Sequence, residues 1–132
     1  MPVEYSNPPD VPAPFGAYGN LSRAGDVVYI AGQTGARPDG SLPAADDVRG
    51  QVTQIYATIG ALLESEGLGW TDVTKFVTYV TDREALEEFY KVRAELFAEW
   101  YPEGIYPPNT LLIVNGLLFP ELRVEIDTYA HG

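Results

Sequence analysis

The chain has 132 residues, 45% of them hydrophobic and 20% charged, a composition typical of one soluble folded domain spanning residues 1–132. Its formal net charge of −11 repels phosphate, so we expect no nucleic-acid partner and no membrane partner. Cysteine is absent and histidine occurs once, which excludes disulfides, thiol catalysis and a multi-histidine metal site; we expect neither a metal nor a cofactor. No segment has the pattern of a signal peptide or a membrane span, so we expect a cytoplasmic protein.

The first third of the chain predicts a loop followed by a hairpin. Residues 8–14 contain four prolines, which favour an extended leading loop. β-Branched and aromatic residues then occupy 18–23 and 27–31, on either side of an Ala-Gly-Asp turn sequence, and predict two antiparallel strands. Gly32 and Gly35 follow. A glycine there either lets a ligand approach the backbone or ends the strand.

Two later stretches carry apolar residues at helical spacing. The first covers residues 46–67, with Asp46 or Asp47 as its N-cap and a glycine at its end. A strand is predicted over 71–80 because this run is rich in β-branched and aromatic residues. The second helix begins at residues 81–82, a Thr-Asp pair suited to capping, and stops at a Tyr-Pro-Glu-Gly sequence.

Two final strands are predicted over residues 110–114 and 122–129. The element order is then β-β-α-β-α-β-β, which predicts an α+β fold with a mixed sheet. Each helix has one apolar stripe to bury, so both are expected on one face of that sheet. Several strands also carry large apolar residues on both faces. A monomer would leave that surface exposed, which predicts an oligomer.

Three short segments are distinctive in sequence and in order. They are Gly16-Ala17-Tyr18, the run over residues 28–33 that ends in Ala-Gly-Gln, and the Val-Glu-Ile-Asp strand over 124–127. Together they resemble the Rid (YjgF-type) proteins, the reactive intermediate deaminases, which have Gly-Pro-Tyr, Ser-Gly-Gln and Val-Glu-Ile at these places. The resemblance covers essentially the whole chain. It implies a chorismate-mutase-like fold and a homotrimer that holds a small-molecule ligand in each of three clefts between subunits.

The resemblance also implies a set of site residues. In deaminating members an Arg binds the carboxylate of an imine or enamine, a Glu positions or activates water, and a Tyr lines the pocket. Glu125 and Tyr18 stand at the Glu and Tyr positions and are implied as catalytic residues. Asn109 stands at the Arg position. The implied substrate-binding residues are Ala31, Gly32, Gln33, Tyr90, Asn109, Thr110 and Leu111.

The replacement of the Arg by Asn109 bears directly on the substrate. A guanidinium makes two charge-assisted hydrogen bonds to a carboxylate, whereas Asn offers one neutral donor and one neutral acceptor. Losing these bonds costs about one to two decades in affinity for a small anion. Arg37 and Arg49 are candidate replacements. Otherwise Asn109 suits a neutral or hydroxyl-bearing ligand, or is only a turn residue that follows two prolines.

Glu125 has two interpretations. Alternation along residues 122–129 places it on a polar face, which predicts a solvated carboxylate paired with Arg123 or Lys75. The resemblance instead implies a partly desolvated carboxylate with a raised pKa that takes a proton from water attacking a C=N carbon. Tyr18 is similarly either a packed ring with its hydroxyl bonded to backbone or a donor in the pocket.

Three functions remain open on these grounds. The first is a RidA-like small-molecule hydrolase, an imine or enamine deaminase or an enzyme of related water-addition chemistry, that uses Glu125. The second is a trimer that binds a metabolite without turnover. The third is a diverged biosynthetic enzyme acting on a larger neutral substrate, favoured by the apolar residues Phe15, Phe89, Tyr90 and Leu111. RNA cleavage, a label of some relatives, fits poorly with the acidic charge.

Overall fold

The computed structural model describes residues 2–132. It contains six strands and two long helices, with a 3-10 turn at Trp70–Asp72. The elements are β1 (Glu4–Ser6), β2 (Leu21–Ala24), β3 (Val27–Gln33), α1 (Val48–Ser65), β4 (Val73–Val80), α2 (Arg83–Trp100), β5 (Asn109–Ile113) and β6 (Val124–His131). The predicted β-β-α-β-α-β-β order is confirmed for β2 to β6. The short β1, which pairs with β2, is an addition to it.

The six strands form one mixed sheet in the order β1-β2-β3-β6-β4-β5. Strand β6 lies between β3 and β4 and is antiparallel to both. Strands β4 and β5 are parallel because α2 carries the chain back to the same end of the sheet. The last strand in sequence, β6, is therefore an inner strand of the sheet. Ile126, Thr128, Tyr129 and Ala130 of β6 are paired with residues on both sides.

Both helices pack on one face of this sheet and against each other. On that face Val124, Ile126, Thr128 and Ala130 of β6 are fully buried, and the residues between them are only partly buried. The core includes an aromatic cluster in which Tyr56 contacts Trp70, Phe76, Phe97 and Trp100 edge to face. The opposite face of the sheet, which we call the open face, carries no helix within residues 2–132. Among residues 2–132, no helix is both long and apolar enough to cross a bilayer.

The helix ends follow local rules. The Asp47 carboxylate accepts a hydrogen bond from the Gly50 N–H at 2.9 Å, so Asp47 rather than Asp46 caps α1. Asp82 caps α2 in the same way through the Ala85 N–H at 2.8 Å. Gly67 follows α1 with a φ of +73°, a conformation that glycine adopts without steric cost.

Strand boundaries differ from the prediction at several places: β5 begins at Asn109 rather than at residue 110, β6 begins at Val124 rather than at residue 122, and two further differences lie beside Tyr18 and Gly32. Strand β2 begins at Leu21 rather than at residue 18, since the Tyr18 N–H donates to the Gly16 carbonyl in a tight turn. Strand β3 continues past Ala31 to Gln33. Its pairing with β6 shifts between Ile30 and Gln33, so Gly32 lies in a β-bulge rather than at a strand end.

Candidate functional site

A cavity of about 400 Å³ lies where β3 and β6 meet the leading loop. We call it the Glu125 cavity. Five of the residues that the sequence assigns to the site line it: Tyr18, Ala31, Gly32, Gln33 and Glu125. The tertiary structure thus brings Tyr18 and Glu125, the two proposed catalytic residues, together with Gly32.

The β-bulge brings the backbone of β3 against the Glu125 side chain. Ile30 pairs with Thr128 and Gln33 with Ile126, so two residues of β3 lie opposite one residue of β6. A Cβ atom placed on Gly32 would overlap the Glu125 carboxyl group, lying 2.8 Å from its Cδ. A side chain at position 32 is opposed by lack of space beside the Glu125 carboxyl group, not by an unusual φ.

The Glu125 carboxylate is partly buried and receives no hydrogen bond from residues 2–132. Burial raises its pKa above the ordinary value, and the nearby Asp127 carboxylate raises it further. The pairing with Arg123 that alternation suggested is wrong. The Arg123 guanidinium instead contacts Asp82 at 2.9 Å and the Ala45 carbonyl at 2.8 Å, where it fixes the start of α2. Lys75 forms no ion pair with Glu125 either.

Asp127 and Tyr79 extend the polar group on the open face. The Tyr79 hydroxyl donates to Asp127 Oδ2 at 2.9 Å, and this hydrogen bond with burial raises the pKa of Tyr79 to about 12. Burial raises the pKa of Asp127, and the hydrogen bond from Tyr79 opposes that shift. Neither residue is among the site residues that the sequence motifs imply. Alternation had placed Asp127 on the face of Glu125, while Tyr79 is brought opposite Glu125 only by the β4–β6 register.

The Tyr18 hydroxyl is bonded to backbone, since it accepts a hydrogen bond from the Phe15 N–H at 3.1 Å. The ring is 48% exposed rather than packed, and the residue lines the Glu125 cavity. Because the hydroxyl acts as acceptor in this bond, its own hydrogen is free to be donated. Phe15 is held in turn by edge-to-face packing on Phe119, with ring centroids 5.3 Å apart.

Gln33 mainly holds the wall of the cavity. Its amide nitrogen donates to the Ala31 carbonyl at 3.0 Å and to Asn20 Oδ1 at 3.3 Å. The Asn20 amide donates to the Pro12 carbonyl at 2.9 Å, so this pair ties the leading loop to β3. Both residues are buried. Their amide donors serve the fold, not a ligand.

A second cavity, of about 420 Å³, lies between α2 and the start of β5. We call it the Asn109 cavity. Tyr90, Arg93 and Asn109 line it together with the aromatic residues Tyr56, Phe76, Phe97 and Tyr106. Asn109 Oδ1 accepts a hydrogen bond from the Thr78 hydroxyl at 2.8 Å, which leaves the amide N–H groups as its available donors. Within one protomer this cavity shares no residue with the Glu125 cavity.

The other residues considered from the sequence lie elsewhere. Thr110 and Leu111 point to opposite faces, Leu111 packing against the core and Thr110 lying exposed beside Val77. Phe89 is fully buried and Leu111 packs on the core, so neither can contact a larger neutral substrate. Of the four apolar residues expected to line such a site, only Phe15 and Tyr90 line a cavity.

Neither candidate replacement arginine lines either cavity. Arg49 contacts Glu95 at 2.7 Å, and Arg37 donates to the Leu42 carbonyl at 3.0 Å. The arginine that does line the Asn109 cavity is Arg93, which was not among the predicted site residues. The signal was present, because Arg93 is three residues from Tyr90 and therefore on the same side of α2. Across residues 2–132 no three acidic or histidine side chains are grouped to hold a metal ion.

Comparisons with known proteins agree with this fold. The family model described as endoribonuclease L-PSP matches residues 9–132. A RutC family protein of Pyrococcus horikoshii is 29% identical over 122 residues, which cover 92% of each chain. The crystal structure of RidA from the Antarctic bacterium Psychrobacter sp. superposes with a TM-score of 0.84 at 27% identity, over 97% of this chain and 98% of that one. The YjgF gene product of E. coli has the same fold, with a TM-score of 0.86 at 23% identity over 97% and 98% of the two chains.

Proposed function

Since the chain belongs to the Rid family, the family described as endoribonuclease L-PSP, we propose that it is a RidA-like hydrolase of small imines or enamines. One observation carries the proposal: the Glu125 carboxylate lines an open cavity, is partly buried, and has no hydrogen-bond donor within residues 2–132. A carboxylate that served only the fold would be paired. This one is free to act on a water molecule.

The proposed reaction adds water across a C=N bond. Glu125 takes a proton from water while the water oxygen bonds to the imine carbon and the π electron pair moves to nitrogen. Nitrogen gains a proton, for which the free hydrogen of the Tyr18 hydroxyl is a suitable donor. The C–N bond then breaks, ammonia leaves, and a carbonyl product remains. In this step the proton held by Glu125 passes to the leaving nitrogen, and the hydroxyl proton of the carbinolamine returns to the Tyr18 oxygen, so both residues are unchanged overall.

The raised pKa of Glu125 suits this role. A general base works best when its pKa approaches the working pH, since it is then ionised and still holds a proton well. Burial and the neighbouring Asp127 both move the pKa of Glu125 in that direction. General acid–base catalysis of this kind contributes about 10²- to 10⁴-fold in rate.

We further propose that the active unit is a homotrimer with its sites in clefts between subunits. The open face supports this, because Tyr29 and Leu112 are 45% and 44% exposed there and no helix covers them. A trimer would also let the Asn109 cavity of one subunit face the Glu125 cavity of the next. The molar mass in solution tests this: a value near three times 14.5 kDa is expected, and a monomer would contradict it.

The decisive experiment follows the decay of freshly generated 2-imino acids trapped with semicarbazide. Wild type should accelerate decay, and Glu125→Gln should lose the acceleration while keeping the same molar mass. Glu99→Gln is the matched control, since it makes the same change at an exposed carboxylate without an ion pair. Full turnover in Glu125→Gln would remove this residue from the mechanism.

A second candidate is a trimer that binds a metabolite without turnover. It is favoured by Asn109, whose oxygen is already bonded to Thr78 and which carries no charge for a carboxylate. Activity in Asn109→Arg but not in wild type would support this alternative, because the scaffold would then lack only the anion-binding group. We do not extend RNA cleavage to this chain, since a net charge of −11 repels the phosphates of RNA.

A further inference from the structure

Arg93 is a cation without a counter-ion at the edge of the Asn109 cavity. Acidic residues outnumber basic ones by 19 to 8. Four of the eight basic side chains, those of Arg23, Arg49, Lys91 and Arg123, form ion pairs within residues 2–132. Within residues 2–132 no carboxylate lies within 4.0 Å of Arg93.

Aromatic rings hold the Arg93 guanidinium instead. Its central carbon lies 4.9 Å from the ring centre of Phe89, 5.1 Å from that of Tyr90 and 6.0 Å from that of Phe97. Phe89 and Phe97 are buried and so provide fixed supports. Contacts with ring faces leave the N–H groups of a guanidinium free, because those groups lie in its plane. Arg93 is thus partly ordered before any ligand binds.

The remaining lining of the cavity defines the ligand that fits. The Asn109 amide N–H groups make no hydrogen bond within residues 2–132, which adds neutral donors beside the charged ones of Arg93. Tyr56, Phe76, Phe97 and Tyr106 form aromatic walls around the same space. The volume of about 420 Å³ falls in the range of small-molecule sites. A cavity that combines hydrogen-bond donors with aromatic walls suits a ligand in which an anionic group is attached to an apolar group.

We propose that Arg93 supplies from α2 the anion-binding group that Asn109 lacks, and that the Asn109 cavity takes a 2-imino or 2-oxo acid with an aromatic side chain. Arg93 binds the carboxylate and the aromatic walls bind the side chain. The hydrolysis that would follow binding rests on the proposed function, whereas the binding of the acid to Arg93 does not depend on it.

Binding of phenylpyruvate, the stable 2-oxo counterpart of such an imino acid, tests the proposal by calorimetry on the full chain. Arg93→Gln should weaken binding by about 10- to 100-fold, because a charged bidentate contact is lost. Arg83→Gln, a matched control on the same helix without an ion pair, should bind as wild type does. Arg93→Lys, which keeps the charge but not the planar fork, should fall between the two.

Two further ligands separate the parts of the site. The methyl ester of phenylpyruvate should bind equally weakly to wild type and to Arg93→Gln, and pyruvate should bind wild type less tightly than phenylpyruvate does. Equal affinity of wild type and Arg93→Gln for phenylpyruvate would overturn the proposal, as would no binding by wild type. Circular dichroism of each variant checks that the fold is retained.

Imine turnover by the same variants distinguishes this proposal from the hydrolase proposal. Turnover that depends on Glu125 but has an unchanged KM in Arg93→Gln would reject the anion site and keep the hydrolase. Arg93-dependent binding of phenylpyruvate with no turnover by wild type would keep the anion site and reject the hydrolase.

Discussion

The carboxyl group of Glu125 lies directly against the Cα of Gly32, with no space between them for a Cβ atom. These residues are 93 positions apart and meet only because β3 bulges beside β6. The bulge places Gly32 against the carboxyl groups of Glu125 and Asp127. It thereby closes one side of the space in which the Glu125 side chain can move.

Gly32→Ala should impair activity more than stability. The added methyl group displaces the Glu125 carboxylate, and Asp127 Oδ1 at 2.9 Å limits where it can go. Both carboxylates are side-chain ends that can move, so we expect the free energy of unfolding to fall by no more than about 1 kcal/mol. Gly69→Ala is the control, because no atom lies within 4 Å of its added Cβ. Unchanged imine turnover in Gly32→Ala would contradict the placement of Glu125.

Glu125→Gln should stabilise the protein at high pH. The pKa of Glu125 is raised in the folded state, so the folded protein binds this proton more tightly than the unfolded chain. Stability therefore falls as pH rises from the ordinary value of 4.5 through the folded pKa, and the loss remains at higher pH. Urea denaturation should show the variant more stable than wild type at pH 8, with the two converging near pH 4. If the variant were less stable than wild type at pH 8, the negative charge of Glu125 would have to be stabilised by other groups in the folded protein.

Tyr79→Phe should destabilise the protein in a pH-dependent way. The change removes the hydroxyl that donates to Asp127 at 2.9 Å and leaves a partly buried carboxylate without that donor. We expect a loss of about 1 to 3 kcal/mol at pH 8 and a smaller loss at pH 4, where Asp127 gains a proton. Tyr5→Phe, which removes the hydroxyl of a 76% exposed ring, should change little. An equal loss of stability at pH 4 and pH 8 would mean that the hydrogen bond from Tyr79 does not depend on the charge of Asp127.

Gln51→Leu should be among the most destabilising substitutions in α1. The fully buried Gln51 amide donates to the Ala44 and Glu121 carbonyls at 3.1 and 2.8 Å, and its oxygen accepts from the Arg123 N–H at 2.8 Å. Leucine leaves the Glu121 carbonyl and the Arg123 N–H without these partners, at a cost of about 2 to 5 kcal/mol, while the Ala44 carbonyl still accepts from the Asp47 N–H. Gln54→Leu, which loses only a bond to Thr58, serves as the control in thermal denaturation. A small change in Gln51→Leu would show that water replaces the amide.

Features that depend on neighbouring residues could be predicted well from the sequence. Helix periodicity and the caps at Asp47 and Asp82 arise within a few residues of chain, and the structure has them where the pattern indicated. The alternation of β6 likewise follows from a strand's period of two. The ordered motifs were enough to identify the family and so the fold. The chain's acidic charge is also a property of composition alone.

Features that join distant segments could not be predicted in this way. Strand β1 has three residues, too few for a periodic signal, and it exists because β2 offers it a partner. The pairing of Arg123 with Asp82, rather than with Glu125, depends on where α2 begins beside β6. Arg93 lines the same cavity as Asn109 because α2 packs beside the start of β5. A carboxylate's partners and pKa depend on distances in space, which residue order leaves open until the whole sheet has formed.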